Sequence, residues 1–423
     1  MLRTMLTIFP AILACFALAL PIGTPPSAQV QLPGSDVDIG VPPVGGVLGE
    51  TVDRFGTRLD QLDKRAQRQA RSLLRERNRD LSRLLRQNRE VIERDADGDL
   101  ARRGVILGLD LDPQDRAAIA AAGYMILGDE SIDGLDMVVT RIGVRPGQSV
   151  EDAEVQIQEV ADAVFAPDNL HFQSGEAAIG PALTVSMQAA TRIGVEVGVI
   201  DGAPGTSVPV LAKRGFARGA PASSDHGSAV ASLLKSVGVT RIRVADVYGD
   251  DPAGGNALAI ARALGWLTAS GSRVVTISLV GPRNHLVERA VNEARARGVV
   301  IVAAVGNDGP AAPPAFPASY EGVVAVTGVD RRNRALIEAG RALHLDYAAP
   351  GDRVYALNAR GALKRWRGTS YATPLVAARI AAGIERGRNW RRVVDAEARD
   401  LGPRGTDDIY GRGLLCESCG LRN

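Results

Sequence analysis

Four polar residues stand where an apolar run ends or a helix begins, and their side chains are of the types used in acyl transfer. Asp201 and Asn307 follow apolar runs, whereas His226 and Ser370 stand at the starts of apolar helical stretches. A carboxylate can orient an imidazole, which can act as a general base for a hydroxyl nucleophile. A side-chain amide can donate a hydrogen bond to a developing oxyanion. These four residues are therefore candidates for chemistry.

Each of the four also has a simpler structural interpretation when it is considered alone. Asp201 and Asn307 are of types common in turns, and Asp201 could equally cap a helix. His226 and Ser370 could be ordinary residues at a helix start. Taken alone, Asp201 and His226 favour the structural interpretation, although the small residues beside His226 and Ser370 leave the space that a reactive group needs.

Histidine is scarce in this chain, and this narrows the choice of a base. Of the four histidines, His285 opens a polar helix, His344 lies in a short apolar stretch and His171 ends an earlier segment. None of these three has surroundings like those of His226. His226 is therefore the one candidate base near neutral pH.

Apolar runs alternate with helical stretches over the second half of the chain, and this pattern predicts the element that positions the four residues. The runs lie at 193–200, 242–247, 274–279, 299–305 and 323–326, and the helical stretches lie near 226–237, 255–269, 284–297 and 370–384. Near-continuous apolar strands alternating with helices predict a doubly wound, mostly parallel sheet with helices on both faces. Ligands of such sheets bind at the carboxyl ends of the strands.

Four motifs in chain order resemble those of the subtilisin-like serine proteases, the subtilase family. They are Val-Gly-Val-Ile-Asp-Gly, His-Gly-Ser-Ala-Val-Ala, Ala-Ala-Val-Gly-Asn-Asp-Gly-Pro and Gly-Thr-Ser-Tyr-Ala-Thr-Pro. The order Asp, His, Ser is that of subtilisin. The resemblance implies an α/β fold of the subtilisin type over 190–415.

The resemblance also implies a role for each matching residue. Ser370 would be the nucleophile, His226 the general base, and Asp201 the residue that orients the imidazole. Asn307 and the Ser370 backbone N–H would form the oxyanion hole. Segments that flank the substrate in the family correspond here to Ser278, Leu279, Val280, Ala304 and Gly306. Val280 stands where the family has a glycine, so the wall of the specificity pocket differs.

The function implied is a serine endopeptidase that hydrolyses peptide bonds of proteins or peptides through an acyl-enzyme. The alternative is a catalytically silent binding or chaperone-like scaffold on the same fold. Such a triad needs no cofactor. Calcium is an open question, because no acidic cluster identifies its ligands.

The N-terminal region contains three segments of different composition. Residues 1–28 have the layout of a secretory signal peptide, which predicts a secreted or periplasmic protein, and 29–53 are typical of a linker. Residues 54–104 are Arg-rich with leucines near helical spacing, which predicts a long helix. We interpret this helix as a solvated stalk, with a coiled coil or a surface for the envelope or an acidic partner as alternatives.

Residues 105–173 have the element order βαββαβ of a small ferredoxin-like domain. In position and order this unit resembles the inhibitory prodomain of subtilases, which implies an intramolecular partner and processing between about His171 and Ile193. Cys416 and Cys419 lie in the C-terminal tail, 416–423, and are interpreted as a small disulfide, with a redox or metal pair as the alternative.

Composition excludes two other classes of protein. The formal net charge is +2, so there is no overall positive field to attract nucleic acid. Three cysteines and four histidines do not form a zinc cluster at ligand spacing.

Overall fold

The computed structural model describes residues 64–173, 176–178, 191–387, 389–417 and 419. The predicted signal peptide and linker therefore lie outside the described residues, as does most of the segment between 174 and 190. In the described part of the chain, none of the helices is both long enough and apolar enough to cross a bilayer.

The N-terminal unit is a five-stranded antiparallel sheet with two helices on one face. Its elements in chain order are α1 (Lys64–Gln87), β1 (Ile92–Arg94), β2 (Leu100–Leu109), α2 (Pro113–Ala121), β3 (Met125–Ile132), β4 (Met137–Gly143), α3 (Val150–Val160) and β5 (Val164–Asn169). From β2 to β5 the order is βαββαβ. Successive residues of β2 point to opposite faces of the sheet. Ile106 therefore packs under α2 and α3, while Leu107 faces the larger unit that follows in the chain.

The predicted helix over 54–104 is wrong for residues 88–104, because α1 ends at Gln87 and two strands follow it. The Asn88 side chain donates a hydrogen bond to the carbonyl of Leu84 at the helix end, 3.0 Å away. The Asp95 carboxylate then accepts bonds from the backbone of Asp97 and Asp99, and Gly98 takes a positive φ. This turn reverses the chain and pairs β1 with β2.

The interpretation of the basic helix as a solvated stalk is also wrong. Ala70 of α1 is only 2% exposed. Leu81 and Leu84 pack against a cluster that contains Leu100 and Leu170. The thin leucine stripe of α1 is therefore an apolar face that is covered by the rest of the molecule.

The larger unit contains a seven-stranded parallel sheet. The elements of this unit, with two short strands before it, are β6 (Phe172–Gln173), β7 (Glu176–Ala178), β8 (Val197–Asp201), β9 (Ala212–Gly215), α4 (Asp225–Ser236), β10 (Ile242–Asp246), α5 (Ala257–Ala269), β11 (Val274–Ile277), β12 (Leu279–Val280), α6 (His285–Ala296), β13 (Val300–Ala304), β14 (Val324–Val329), β15 (Tyr347–Pro350), β16 (Asp352–Leu357), β17 (Leu363–Arg367), α7 (Thr369–Glu385) and α8 (Trp390–Glu397). The strand order in the parallel sheet is β15-β14-β13-β11-β8-β10-β9.

Helices cover both faces of the parallel sheet, as predicted. On one face Val275 and Ile277 pack with α5 and α6, and on the other Val274 packs with α4 and α7. All five residues of β8 are buried, which explains its continuous apolar sequence. The doubly wound α/β fold class is thus confirmed.

A disulfide joins Cys416 and Cys419 in the C-terminal region. Cys416 is 6% exposed and packs in the same core as α7. The disulfide interpretation agrees with the structure, and the core extends into the predicted tail.

Candidate active site

Three of the four candidate residues lie at the carboxyl-end edge of the parallel sheet or just beyond it. Asp201 ends β8, and Asn307 comes three residues after β13. Ser370 lies at the start of α7, next to Ser278, which directly follows β11. Strands β8, β11 and β13 are adjacent and parallel, so their ends meet at one edge.

Asp201 and His226 form a buried pair. The Asp201 side chain has no exposed surface, and the Nδ1 atom of His226 lies 2.8 Å and 3.0 Å from its two carboxylate oxygens. A carboxylate can only accept, so Nδ1 carries the proton. The Gly202 backbone N–H and the Gln173 side-chain amide donate to the same carboxylate at 2.7 Å and 2.8 Å.

The start of α4 holds His226 against Asp201. The Ser224 side chain caps the helix by accepting from the Gly227 N–H. A Cβ atom built on Gly227 would lie 1.9 Å from the carbonyl oxygen of Gly202. Glycine is needed at 227 because the helix approaches the end of β8 this closely.

Ser370 is fully buried and is held by two hydrogen bonds with Ser278. Its hydroxyl donates to the Ser278 carbonyl at 3.2 Å, and the Ser278 hydroxyl donates to the Ser370 carbonyl at 3.0 Å. Pro374 has no N–H to donate to the Ser370 carbonyl four residues earlier, so Ser278 takes the place of that helix bond. A proline inside α7 is therefore tolerated.

The Asn307 side chain bridges to the start of the same helix. Its Oδ1 atom accepts from the Thr369 N–H at 3.0 Å. Its Nδ2 atom is buried and has no hydrogen-bond partner among the described residues. Buried amides are normally satisfied, so this donor is available for a group that enters the site.

Comparison with known proteins identifies the family of the chain. The model of the subtilase family matches residues 210–413. An alkaline protease of Alkalihalobacillus alcalophilus is 30% identical over 310 residues, covering 68% of this chain and 76% of that protein. Subtilisin Savinase of Lederbergia lenta is 33% identical over 246 residues, covering 53% of this chain and 90% of that protein. The chain belongs to the subtilase family.

This subtilase is a serine-type endopeptidase that acts on proteins or peptides. Its structure is similar to that of fervidolysin from Fervidobacterium pennivorans, with a TM-score of 0.62 and 17% identity. The alignment covers 76% of this chain and 61% of fervidolysin. At this identity the similarity demonstrates a shared fold.

Two of the five predicted substrate-flanking residues, Val280 and Gly306, line one groove of the subtilase. We define the strand-end cleft as the groove lined by Val280, Gly306 and Asn307. A Cβ built on Gly306 would lie 3.1 Å from Val280, so these two residues form adjoining walls. Leu279 and Val280 present their backbone to β6, whereas Ala304 is fully buried at the end of β13.

Sequence reasoning missed one residue of this site. Gln173 donates to Asp201, yet it belongs to β6, which follows the N-terminal unit. Gln173 has no motif around it, and its only signal is its place at the end of the prodomain-like region.

The acidic side chains do not by themselves identify a calcium site in the described part of the chain. No group of three or more His, Cys, Asp or Glu side chains within the described ranges is arranged to hold a metal ion. We therefore derive no step through a metal.

Proposed function

We propose that this subtilase is a secreted or periplasmic endopeptidase with Asp201, His226 and Ser370 as its catalytic triad. The observation that carries the proposal is the buried Asp201–His226 pair, in which Nδ1 lies within 3.0 Å of both carboxylate oxygens. A carboxylate accepts hydrogen bonds, which assigns the proton to Nδ1. The neutral imidazole then has its second nitrogen, Nε2, unprotonated and able to act as a base.

In the proposed reaction, the Ser370 hydroxyl turns from the Ser278 carbonyl towards His226. Nε2 of His226 then takes its proton while the oxygen attacks the carbonyl carbon of the peptide bond. Asn307 Nδ2 and the Ser370 backbone N–H donate to the oxyanion of the tetrahedral intermediate. The imidazolium, stabilised by Asp201, gives its proton to the leaving amine, and an acyl-enzyme forms. In the second half of the reaction, His226 takes a proton from water while the water oxygen attacks the carbonyl carbon of the acyl-enzyme. The proton returns to the Ser370 oxygen as the carboxylic acid is released.

The proposal includes synthesis as a self-inhibited precursor in which 105–173 serves as a prodomain. Phe172–Gln173 pair antiparallel with Leu279–Val280 on one side of Ser370. Glu176–Ala178 pair antiparallel with β17, which ends just before Gly368. These two pairings support a chain that enters and leaves the site as a substrate would. The bond that is cut would lie between Gln173 and Glu176.

Secretion rests on the sequence of residues 1–28. A charged start, a short apolar stretch and small residues before 28 are typical of a cleaved signal peptide. The disulfide between Cys416 and Cys419 is suited to an oxidising compartment.

Expression of the full chain in wild-type and Ser370→Ala forms tests the proposal. We expect a fluorophosphonate probe to label the wild type and a new N-terminus to appear between residues 174 and 176. Both signals should be absent in Ser370→Ala and normal in Ser236→Ala, a serine at the far end of α4. Cleavage of Ser370→Ala at the wild-type rate would overturn self-processing, and an unlabelled wild type would favour the silent scaffold.

A further inference from the structure

The basic helix α1 contacts the loop that carries the oxyanion residue. Arg77 Nε donates to a carboxylate oxygen of Asp308 at 3.0 Å. A Cβ built on Gly309 would lie 2.9 Å from the side chain of Leu73, so this leucine packs directly on the glycine backbone. Asp308 and Gly309 follow Asn307 in the chain. The middle of α1 is therefore placed against the strand-end cleft.

The C-terminal half of α1 is fixed to the N-terminal unit. Leu81 and Leu84 pack with Ile92 and Leu100 of the first two strands. The helix thus bridges the N-terminal unit and the cleft, because its middle and its C-terminal half contact different parts of the molecule.

The strand-end cleft has a volume of about 900 Å³, and α1 forms one of its walls. Leu73, Glu76 and Arg77 line it from the helix side, and Val280 and Gly306 line it from the sheet side. Phe172 and Gln173 also line the cleft, so α1 and β6 cover adjoining parts of it. The sheet pairing of β6 does not require this helix.

We propose that α1 is a second inhibitory element, which covers the strand-end cleft beside β6 and slows release of the N-terminal part after cleavage. The inference rests on the proposed cut between Gln173 and Glu176. That cut leaves the contacts of Leu73 and Arg77 intact, because α1 and its anchoring strands stay on the same fragment. The fragment departs only when these contacts break as well.

Charge exchange tests the contact. Arg77→Glu and Asp308→Arg each replace an ion pair with two like charges, and the double variant restores a pair. The Arg77 and Asp308 side chains are 22% and 41% exposed, so the contact is partly screened. We expect each single variant to speed dissociation of the cleaved fragment about two- to fivefold, and the double variant to restore the wild-type rate. Arg71→Glu, on an exposed position of α1, is the matched control.

Salt separates the ionic from the apolar part of the contact. The effect of Arg77→Glu should shrink as salt is raised from 0.05 to 0.5 M, since screening weakens the ion pair. Leu73→Ala should speed release about fivefold at every salt concentration. The readout is fragment dissociation followed by size-exclusion chromatography, with thermal unfolding as the check on folding.

The outcomes distinguish this inference from the proposed function. If the wild type is neither labelled nor cut, the proposed function fails. If all variants are labelled and cut normally but Arg77→Glu and Leu73→Ala release the fragment as slowly as Arg71→Glu, the proposed function stands and the role of α1 is overturned.

Discussion

Adding a single methyl group at Gly227 should separate the candidate base from its orienting carboxylate. The new Cβ would lie 1.9 Å from the Gly202 carbonyl oxygen, whereas real Cβ atoms are essentially never within 3.0 Å of such an atom. Helix α4 must therefore move by about 1.1 Å or more. Along the His226–Asp201 direction this lengthens the 2.8 Å bond to about 3.9 Å, beyond hydrogen-bonding distance.

This displacement should lower both the catalytic efficiency and the stability of Gly227→Ala. Misplacing a catalytic group by about 1 Å lowers the rate by about 100-fold, so kcat/KM of Gly227→Ala should fall by at least that factor. The clash should also destabilise the fold by about 1 to 3 kcal/mol. An unstrained Gly-to-Ala change inside a helix would do the reverse and stabilise it by about 1 kcal/mol.

Hydrolysis of fluorescently labelled casein by the processed enzyme measures the loss, and thermal unfolding measures the stability. Gly194→Ala is the matched control, because only the flexible tip of Glu385 lies near its new Cβ. Its kcat/KM should equal that of the wild type. A Gly227→Ala enzyme with wild-type kcat/KM and a raised melting temperature would refute the reasoning, since the helix could then accept the methyl group without moving.

Two further predictions concern the oxyanion donor and the buried histidine. Asn307→Leu removes the unpartnered Nδ2 donor at similar volume, so kcat should fall about 100-fold or more with little change in KM, and an unchanged kcat would count against the assigned role. Burial lowers the pKa of His171 to about 4, below the ordinary 6.5 of the unfolded chain. The contribution of the neutral ring to the free energy of unfolding is complete above pH 6.5 and is lost as the pH falls towards 4. In a Ser370→Ala background, the free energy of unfolding of the protein that keeps His171 should therefore fall by about 3 kcal/mol more over this range than that of His171→Phe. Denaturant unfolding measures this difference. If the free energy of unfolding changed equally with pH in the two proteins, the prediction for His171 would be contradicted.

Local sequence was sufficient to predict the parallel sheet and the residues at its edge. The apolar runs that end at Asp201 and before Asn307 are buried on both faces, so their composition alone identifies them as central strands. Parallel strands bring their carboxyl ends together, and this places two distant residues at one edge. Asp201 and Asn307 therefore lie at the same edge, whereas the contact of Asp201 with His226 depends on the packing of α4 against the end of β8.

Local composition was misleading for residues 88–104. The highly charged sequence continues past Gln87 to Arg103, but the Asp-Gly turn at 97–98 and the buried Ile92 belong to a hairpin. The strand β1 forms because its partner β2 and the cluster around Leu81 cover it. Such stabilisation comes from tertiary packing and leaves little trace in a helical pattern.

By itself, the sequence determined the fold class, the order of the motifs and the identity of the groups available for catalysis, because strand burial and helix starts impose local patterns on composition. Only the tertiary structure decided that Gln173 reaches Asp201, that Asn307 keeps a buried donor without a partner, and that Leu73 and Arg77 of α1 lie on the loop after Asn307. These contacts join residues far apart in the chain. Their geometry depends on how complete elements pack, which no local pattern encodes.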